Sequence, residues 1–426
     1  MRIKRQILVL SKDKTIINGA LFSLFSFINR GFSFFLLLIL ANYMPPEEYG
    51  YLGLFQTVIM VMGICVSLQL EGYMSVSYFD GAVDGFKNTV SCIFATTFII
   101  SIIYLLTILI GGQSFSELLS LPFTMLFLTV PICFFTVFTN INLDYFRIKG
   151  HVATYGAFSC GNAILNFVLS ILLVKYLSMG WEGRVWAQTI CFSLFGVIGI
   201  LFFMKKKLFK FPNLIHWKCM LIWGVPLIPH MASSFFKQGC DRYIINSTHS
   251  IYDVGLFSFA LNLANIIIMI GVGFNQSNSI EIYRVLGDKN ISVKEKISIL
   301  SLQRHKLIKL YAGISLLVVA AMYIIIPLIL PKYSLAMNYF LILGIFGFIN
   351  SLYYLYTNYL FFFKRTKNIM YITFSTSILH LVLSLMLTKY SLYLTCVIYC
   401  ISITVMLFFI RYYSLKELKT RLVINF

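Results

Sequence analysis

Residues 15–40 read TIINGALFSLFSFINRGFSFFLLLIL, an apolar run whose single charge, Arg30, lies near its middle. About 20 predominantly apolar residues are enough for a helix to cross a bilayer, so this run predicts a membrane span. A charged side chain at the centre of a span costs about 2.5–3.5 kcal/mol on insertion scales and normally faces a polar cavity or a partner. We therefore expect Arg30 to face away from lipid, where a transport protein with an anionic cargo would have a reason to keep it.

The rest of the chain repeats this pattern. It has 426 residues, of which 59% are hydrophobic and only 12% charged, and a mean hydropathy of +0.86, which excludes an ordinary soluble domain. Because backbone groups in lipid must be satisfied within their own segment, we expect the apolar runs to be helices. The sequence predicts an all-α polytopic membrane protein with twelve spans, at residues 15–40, 50–70, 89–110, 121–142, 152–174, 184–204, 218–236, 255–274, 307–330, 336–361, 368–388 and 391–410.

The positive charges predict the orientation. Of the 34 Lys and Arg residues, 27 fall in alternate connections and in both terminal segments, and 6 fall in the remaining connections. Cytoplasmic loops carry such an excess, so both termini are expected in the cytoplasm. The net charge of +19 is then a topology signal, and its dispersal along the chain argues against nucleic acid as a partner. The nine cysteines are spread singly, which predicts neither disulfides nor a metal site, and no cofactor is expected.

Two six-helix halves are indicated by a short internal repeat. PEEYGYL at 46–52 follows the first span, and YDVGLF at 252–257 follows the seventh; in each, an acidic residue lies two positions before a glycine. Arg30 precedes the first glycine by 20 residues, and Lys237 precedes the second by 18. Repeat-related halves with a substrate path between them are a common transporter plan. We predict an N-terminal lobe at 1–204, a cytoplasmic basic linker at 205–218, a C-terminal lobe at 219–413 and a cytoplasmic tail at 414–426.

Four stretches carry a resemblance to a known family: Asn29-Arg30 followed by PPEEYG (45–50), GWEGRVWAQ (180–188), GVPLIPH (224–230) followed by Asp241-Arg242-Tyr243, and YDVGLFSFA (252–260). In their order and spacing the chain resembles the O-antigen and polysaccharide flippases of the multidrug/oligosaccharidyl-lipid/polysaccharide exporter superfamily. The resemblance implies the inverted-V, MATE-like exporter fold and alternating access. It also implies a cargo, an undecaprenyl-pyrophosphate-linked oligosaccharide, moved from the cytoplasmic to the periplasmic leaflet of a bacterial inner membrane. An O-antigen polymerase and a chain-length regulator would be partners, beside the phospholipid bilayer.

The candidate path residues are charged. Arg30 would grip the pyrophosphate, because guanidinium can form two parallel bonds to it; the alternative is a structural arginine that holds neighbouring helices. Lys237 is its counterpart in the other half. Asp241 lies four residues after Lys237 and could form an ion pair with it on a helix. Arg242 could instead pair with Asp241 or with Asp253.

Kinks and polar linings form a second group of candidates. Pro226 and Pro229 remove backbone donors from one span and predict a fixed kink or a hinge. Possible cavity-lining residues could contact the sugars, while the alternative is bonding or packing between helices. For His230 the choice is between titration during transport and a satisfied buried role. The lining candidates are His230, Asn166, Asn262, Tyr353 and Tyr356.

Two other functions compete with a flippase. An ion-coupled multidrug exporter of the same fold would take cationic drugs and would want acidic residues inside its spans, whereas all 15 acids here lie at or near span ends. A membrane O-antigen polymerase or ligase would need a sizeable outer loop with charged residues, and the connections are short. Without paired carboxylates or a nucleophile–base set, the sequence favours a transporter over an enzyme.

Overall fold

The computed structural model describes residues 14–79, 83–288 and 290–424. These residues form α-helices without any strand. The α-helices are α1 (Lys14–Tyr43), α2 (Pro46–Ser67), α3 (Tyr73–Phe79), α4 (Val83–Leu119), α5 (Phe123–Ile148), α6 (Val152–Ile171), α7 (Gly180–Lys205), α8 (Leu214–Gly224), α9 (Ile228–Gln238), α10 (Cys240–Thr248), α11 (Ile251–Gly287), α12 (Val293–Ile329), α13 (Ala336–Phe362), α14 (Thr366–Leu387) and α15 (Leu392–Ile424).

Twelve helical segments within the described ranges are long and apolar enough to cross a membrane. The predicted all-α polytopic class with twelve spans is confirmed, while the orientation of the termini stays a prediction. Several helices run well beyond their predicted apolar runs: α11 and α12 have 37 residues each, about 55 Å at 1.5 Å per residue. Backbone hydrogen bonding continues into polar sequence outside the hydrocarbon region, so hydropathy underestimates the length of such helices.

Side-chain caps define where three of these helices begin. The side chain of Asn213 accepts from the backbone amides of Ile215 and His216 at the start of α8. Ser250 caps α11 and Ser292 caps α12, each by accepting from the amide three residues on. Since the first four amides of a helix have no intrahelical acceptor, these residues fix the helix boundaries locally.

The chain divides into two compact units. The first unit contains residues up to Met44 and Leu54–Met231; the second contains Pro45–Gly53 and residues from Ala232 onward. The opening turns of α2 therefore belong to the second unit, although the rest of that helix belongs to the first. The predicted lobe boundaries at 204 and 219 stay a prediction.

Residues 205–218, predicted as a linker, pack against the first unit. The backbone amide of Lys210 donates to Ser91 Oγ at 2.7 Å, and the indole Nε1 of Trp217 donates to Thr96 Oγ1 at 2.7 Å. His216 Nε2 lies 2.8 Å from Thr89 Oγ1. These contacts attach the connection and the start of α8 to α4.

Within the second unit, the two glycines of the sequence repeat lie on each other's helices. A Cβ added at Gly50 would lie 2.3 Å from the carbonyl oxygen of Ile251, and one at Gly255 would lie 1.7 Å from that of Pro46. Each glycine thus meets the residue four positions before the other glycine. This reciprocal contact brings the backbones of α2 and α11 together and explains why both copies of the motif contain glycine.

Candidate functional site

The structure places Arg30 in α1 and His230 in α9, but the side chains of both lie outside the described residues. The neighbour of Arg30 is described: Asn29 Nδ2 donates to Ser159 Oγ at 3.1 Å. The roles expected for Arg30 and His230 stay predictions.

The GVPLIPH stretch interrupts its span. Helix α8 ends at Gly224, a short 3₁₀ turn covers Val225–Leu227, and α9 begins at Ile228. Pro226 lies inside the turn and Pro229 in the first turn of α9, where no amide donor is needed. Gly224 packs closely against the carbonyl oxygen of Leu68, so this break is held against the end of α2. Whether the segment moves as a hinge remains a proposal.

Asp241 forms a hydrogen bond with a histidine from a span that is distant in the sequence. Its Oδ2 lies 2.8 Å from Nε2 of His380 in α14, and both side chains are almost fully buried, at 0% and 1% exposed. His380 Nδ1 lies 3.0 Å from Ser402 Oγ in α15. Sequence reasoning missed His380, because a single histidine in an apolar run carries no signal of a partner 139 positions away.

Arg242 is a buried cation next to this pair. It is 8% exposed, and its guanidinium donates from Nε to Ser258 Oγ and from Nη1 to the carbonyl of Gln238, each at 3.1 Å. Asp253, one of the partners considered for it, accepts instead from Ser250 Oγ at 2.6 Å.

Lys237 does not form the local pair with Asp241 that their spacing allowed. Its half-buried ammonium lies 3.0 Å from the thioether sulfur of Met406, a weak acceptor. Across the described ranges it forms no ion pair. Asp241 faces His380 because α9 ends at Gln238 and a new helix begins at Cys240, so the two side chains do not follow a single helical face.

In the first unit, Arg184 is a functional candidate that sequence reasoning overlooked. It lies in the first turns of α7, where its Nη1 donates to the side-chain oxygen of Asn166 and, at 3.0 Å, to Ser170 Oγ. Its Nε is buried without a hydrogen-bond partner. Arg184 forms no ion pair with any residue that the structure describes. Its position at a predicted span end made it resemble an ordinary loop charge.

Of the remaining lining candidates, Asn262 and Tyr356 contact other helices, and Tyr353 contacts its neighbour in α13. Asn262 Nδ2 donates to the buried hydroxyl of Tyr49 at 2.8 Å. The ring of Tyr356 lies about 6 Å from two guanidinium carbons, 5.9 Å for Arg304 and 6.0 Å for Arg411. Tyr353 is half-buried against Tyr354, with ring centroids 5.2 Å apart.

The described residues contain no group of three or more His, Cys, Asp or Glu side chains that could hold a metal ion. The polar chemistry of the site therefore consists of interior cations, one buried Asp–His pair and hydrogen bonds between helices.

A family model described as "Polysaccharide biosynthesis protein" matches residues 17–277, more than half of the chain. The chain belongs to this family. It is 25% identical over 345 residues to a Haemophilus influenzae protein of the Lsg locus, covering 78% of this chain and 81% of the relative. A second membrane protein of the same organism is 22% identical over 356 residues, covering 82% and 84%.

Solved structures of exporters share the fold. An inward-facing multidrug resistance MATE family transporter of the MOP superfamily superimposes with a TM-score of 0.71 at 14% identity, covering 90% of this chain and 94% of that one. An outward-facing form gives 0.65 at 15% identity, with 97% of both chains covered. The resemblance to polysaccharide flippases and the MATE-like fold predicted from the sequence are thereby confirmed. The protein is a multi-pass membrane protein of this polysaccharide biosynthesis family, with the fold of the MATE transporters.

Proposed function

We propose that this protein is a flippase that moves undecaprenyl-pyrophosphate-linked O-antigen units, or a related polysaccharide precursor, from the cytoplasmic to the periplasmic leaflet of a bacterial inner membrane. Its family and its exporter fold support a membrane exporter acting in polysaccharide biosynthesis. The choice of cargo within that class is supported by the charges in the interior.

The observation that carries the proposal is that the described spans hold cations without an anionic partner among the described residues. The first unit holds Arg184 and the second holds Lys237, and neither forms an ion pair with a described residue. Among the described side chains, Asp241 is the one carboxylate that is fully buried, and it is hydrogen-bonded to His380, whereas Glu71 is half-buried and accepts from Asn140. Cations held in a low-dielectric interior are costly unless an anion reaches them. A diphosphate cargo would supply that anion, and a cationic drug would not.

The chemistry of the cargo fits these side chains. A diphosphate offers several charged oxygens, and guanidinium groups bind such oxygens bidentately, while an ammonium acts as a compact point charge. Arg30 would be a third cation of the same set. The mechanism we propose is alternating access, in which the protein performs no covalent chemistry. An O-antigen polymerase and a chain-length regulator would act on the delivered cargo.

The test is translocation of a fluorescent undecaprenyl-diphosphate oligosaccharide in vesicles reconstituted with purified protein. Because a hydrogen bond to a charged group contributes about 1.5–3 kcal/mol, we expect Arg184→Gln, Lys237→Met and Arg30→Ala each to slow translocation about 10- to 100-fold.

The matched control is Lys389→Met, which removes the same charge from an exposed lysine that lies over the ring of Tyr390. It should translocate at the wild-type rate. If the three interior variants, shown to be folded, also kept the wild-type rate, the proposed role of the interior cations would be wrong. If ethidium were exported and the lipid cargo ignored, the multidrug exporter would be the better assignment.

A further inference from the structure

The hydrogen bonds around His380 indicate which of its two ring nitrogens carries a proton. Ser402 Oγ donates to the carbonyl of Ile398 at 2.7 Å, so its single proton is already engaged. With its proton on that carbonyl, Ser402 Oγ accepts from His380 Nδ1, 3.0 Å away. This assigns the imidazole proton to Nδ1 from the hydrogen-bond network.

A second proton is then required between Nε2 of His380 and the carboxyl group of Asp241. With Nδ1 protonated, Nε2 of a neutral imidazole is an acceptor, and the Asp241 oxygen 2.8 Å from it is an acceptor as well. Two acceptors at that distance need a proton between them. The pair in this geometry is therefore either imidazolium with carboxylate or imidazole with carboxylic acid, and in both forms its net charge is zero.

Loss of this proton would change the pair from neutral to a net charge of −1 in a fully buried position. Asp241 lies seven residues from the end of its span at Thr248, about 10 Å along a helix axis. A buried uncompensated charge of this kind is strongly disfavoured, so release of the proton requires a rearrangement.

Polar and charged groups beside the Asp241–His380 pair are available for that rearrangement. Oδ1 of Asp241 and the hydroxyl of Tyr399 are both buried and interact with each other, and the Tyr399 ring stands edge-on to His380, 4.7 Å away. Arg242 follows Asp241 directly and would offset a bare carboxylate. The titratable and charged groups that face the pair are Cys240 and Arg242 on α10 and Cys396 and Tyr399 on α15, while Tyr49 on α2 faces Arg242.

We propose that the Asp241–His380 pair is a proton-binding site that takes up and releases one proton in each transport cycle. In the proton-bound form, the carboxyl group of Asp241 faces His380. In the proton-free form, the proton has passed to water, His380 is neutral and the Asp241 carboxylate is offset by Arg242. These are two states with different charge, which a proton gradient can bias. The coupling to cargo rests on the proposed function, whereas proton binding itself does not.

Proton binding is tested on protein without cargo. The double variant Asp241→Asn/His380→Gln keeps two amides able to hydrogen-bond in place of the pair, but neither titrates. Infrared difference spectra after a pH jump, on protein in nanodiscs, should show carboxyl and imidazole bands in the wild type that the double variant lacks. His249→Gln is the control, because His249 Nε2 lies 2.7 Å from the carbonyl of Thr388 rather than from a carboxylate. Bands that persist in the folded double variant would overturn the proposal.

Coupling is tested in vesicles of phosphatidylethanolamine and phosphatidylglycerol carrying undecaprenyl diphosphate with a fluorescent glycan. One coupled proton changes the steady-state leaflet distribution about tenfold per unit of pH gradient. The wild type and His249→Gln should show this shift, and the double variant should not. A wild type that moves cargo without responding to the pH gradient, or that responds to a sodium gradient instead, overturns the coupling. A wild type that moves no cargo refutes the proposed function, and the infrared result then decides the proton site alone.

Discussion

Replacing Gly255 by alanine should separate α2 from α11 and destabilise the protein. The added Cβ would lie 1.7 Å from the carbonyl oxygen of Pro46, and contacts below 3.0 Å are essentially never observed, so the helices must move apart by about 1.3 Å. Overpacking of this kind costs about 1–3 kcal/mol and sometimes more, against a gain of about 1 kcal/mol from the higher helix propensity of alanine. The same movement would stretch the Tyr49–Asn262 hydrogen bond, now 2.8 Å. We expect a net loss of up to about 2 kcal/mol.

The assay is the free energy of unfolding in mixed micelles titrated with a denaturing detergent. Gly50→Ala, which faces the carbonyl of Ile251 at 2.3 Å, should lose less than Gly255→Ala. The double variant should lose less than the sum, because one separation of the helices relieves both contacts. The control is Gly63→Ala in the same helix α2, where a Cβ meets nothing within 4 Å and alanine should be neutral or stabilising. Equal effects at Gly63 and Gly255 would show that the close contact with Pro46 does not cause the loss of stability.

Two further predictions concern single polar groups. Burial raises the pKa of Glu71 from its usual 4.5 to about 7, although the hydrogen bond from Asn140 lowers it, so the folded state binds this proton more tightly than the unfolded state. The free energy of unfolding should therefore fall by up to about 3 kcal/mol as pH rises from 4.5 to 7. Glu71→Gln should remove this pH dependence, and an unchanged pH dependence in the variant would contradict the assignment. Asn262→Leu leaves the buried Tyr49 hydroxyl unpaired and should cost about 1–3 kcal/mol in the same unfolding assay with little loss of translocation; the reverse result, slow translocation at full stability, would make Asn262 a sugar contact.

Hydropathy was sufficient for the helical class and the number of spans, while the orientation that the charge bias indicates stays a prediction. Bilayer thickness imposes a length on each span, so the number of spans and the helical class could be predicted from apolar runs alone. The short repeat around Gly50 and Gly255 was readable as well. The physical reason for the repeat is the reciprocal contact between the backbones of α2 and α11, which only the structure shows.

The polar interior was predicted less completely, because its partners are distant in sequence. The i, i+4 spacing of Lys237 and Asp241 suggested a local pair, but the helix ends between them and Asp241 meets His380 instead. Arg184 lies at the first residue of a predicted span, where a cation usually reaches the headgroups. Its contacts with Asn166 and Ser170 depend on how α6 and α7 pack, which no local pattern encodes.

The central claim, an anionic lipid-linked cargo, is tested most directly by substrate competition in the reconstituted vesicles. Wild-type protein should speed movement of the undecaprenyl-diphosphate oligosaccharide between leaflets. Undecaprenyl diphosphate should inhibit that movement, while the uncharged polyprenol and a cationic dye should not. Inhibition by the cationic dye but not by the diphosphate lipid would contradict the account.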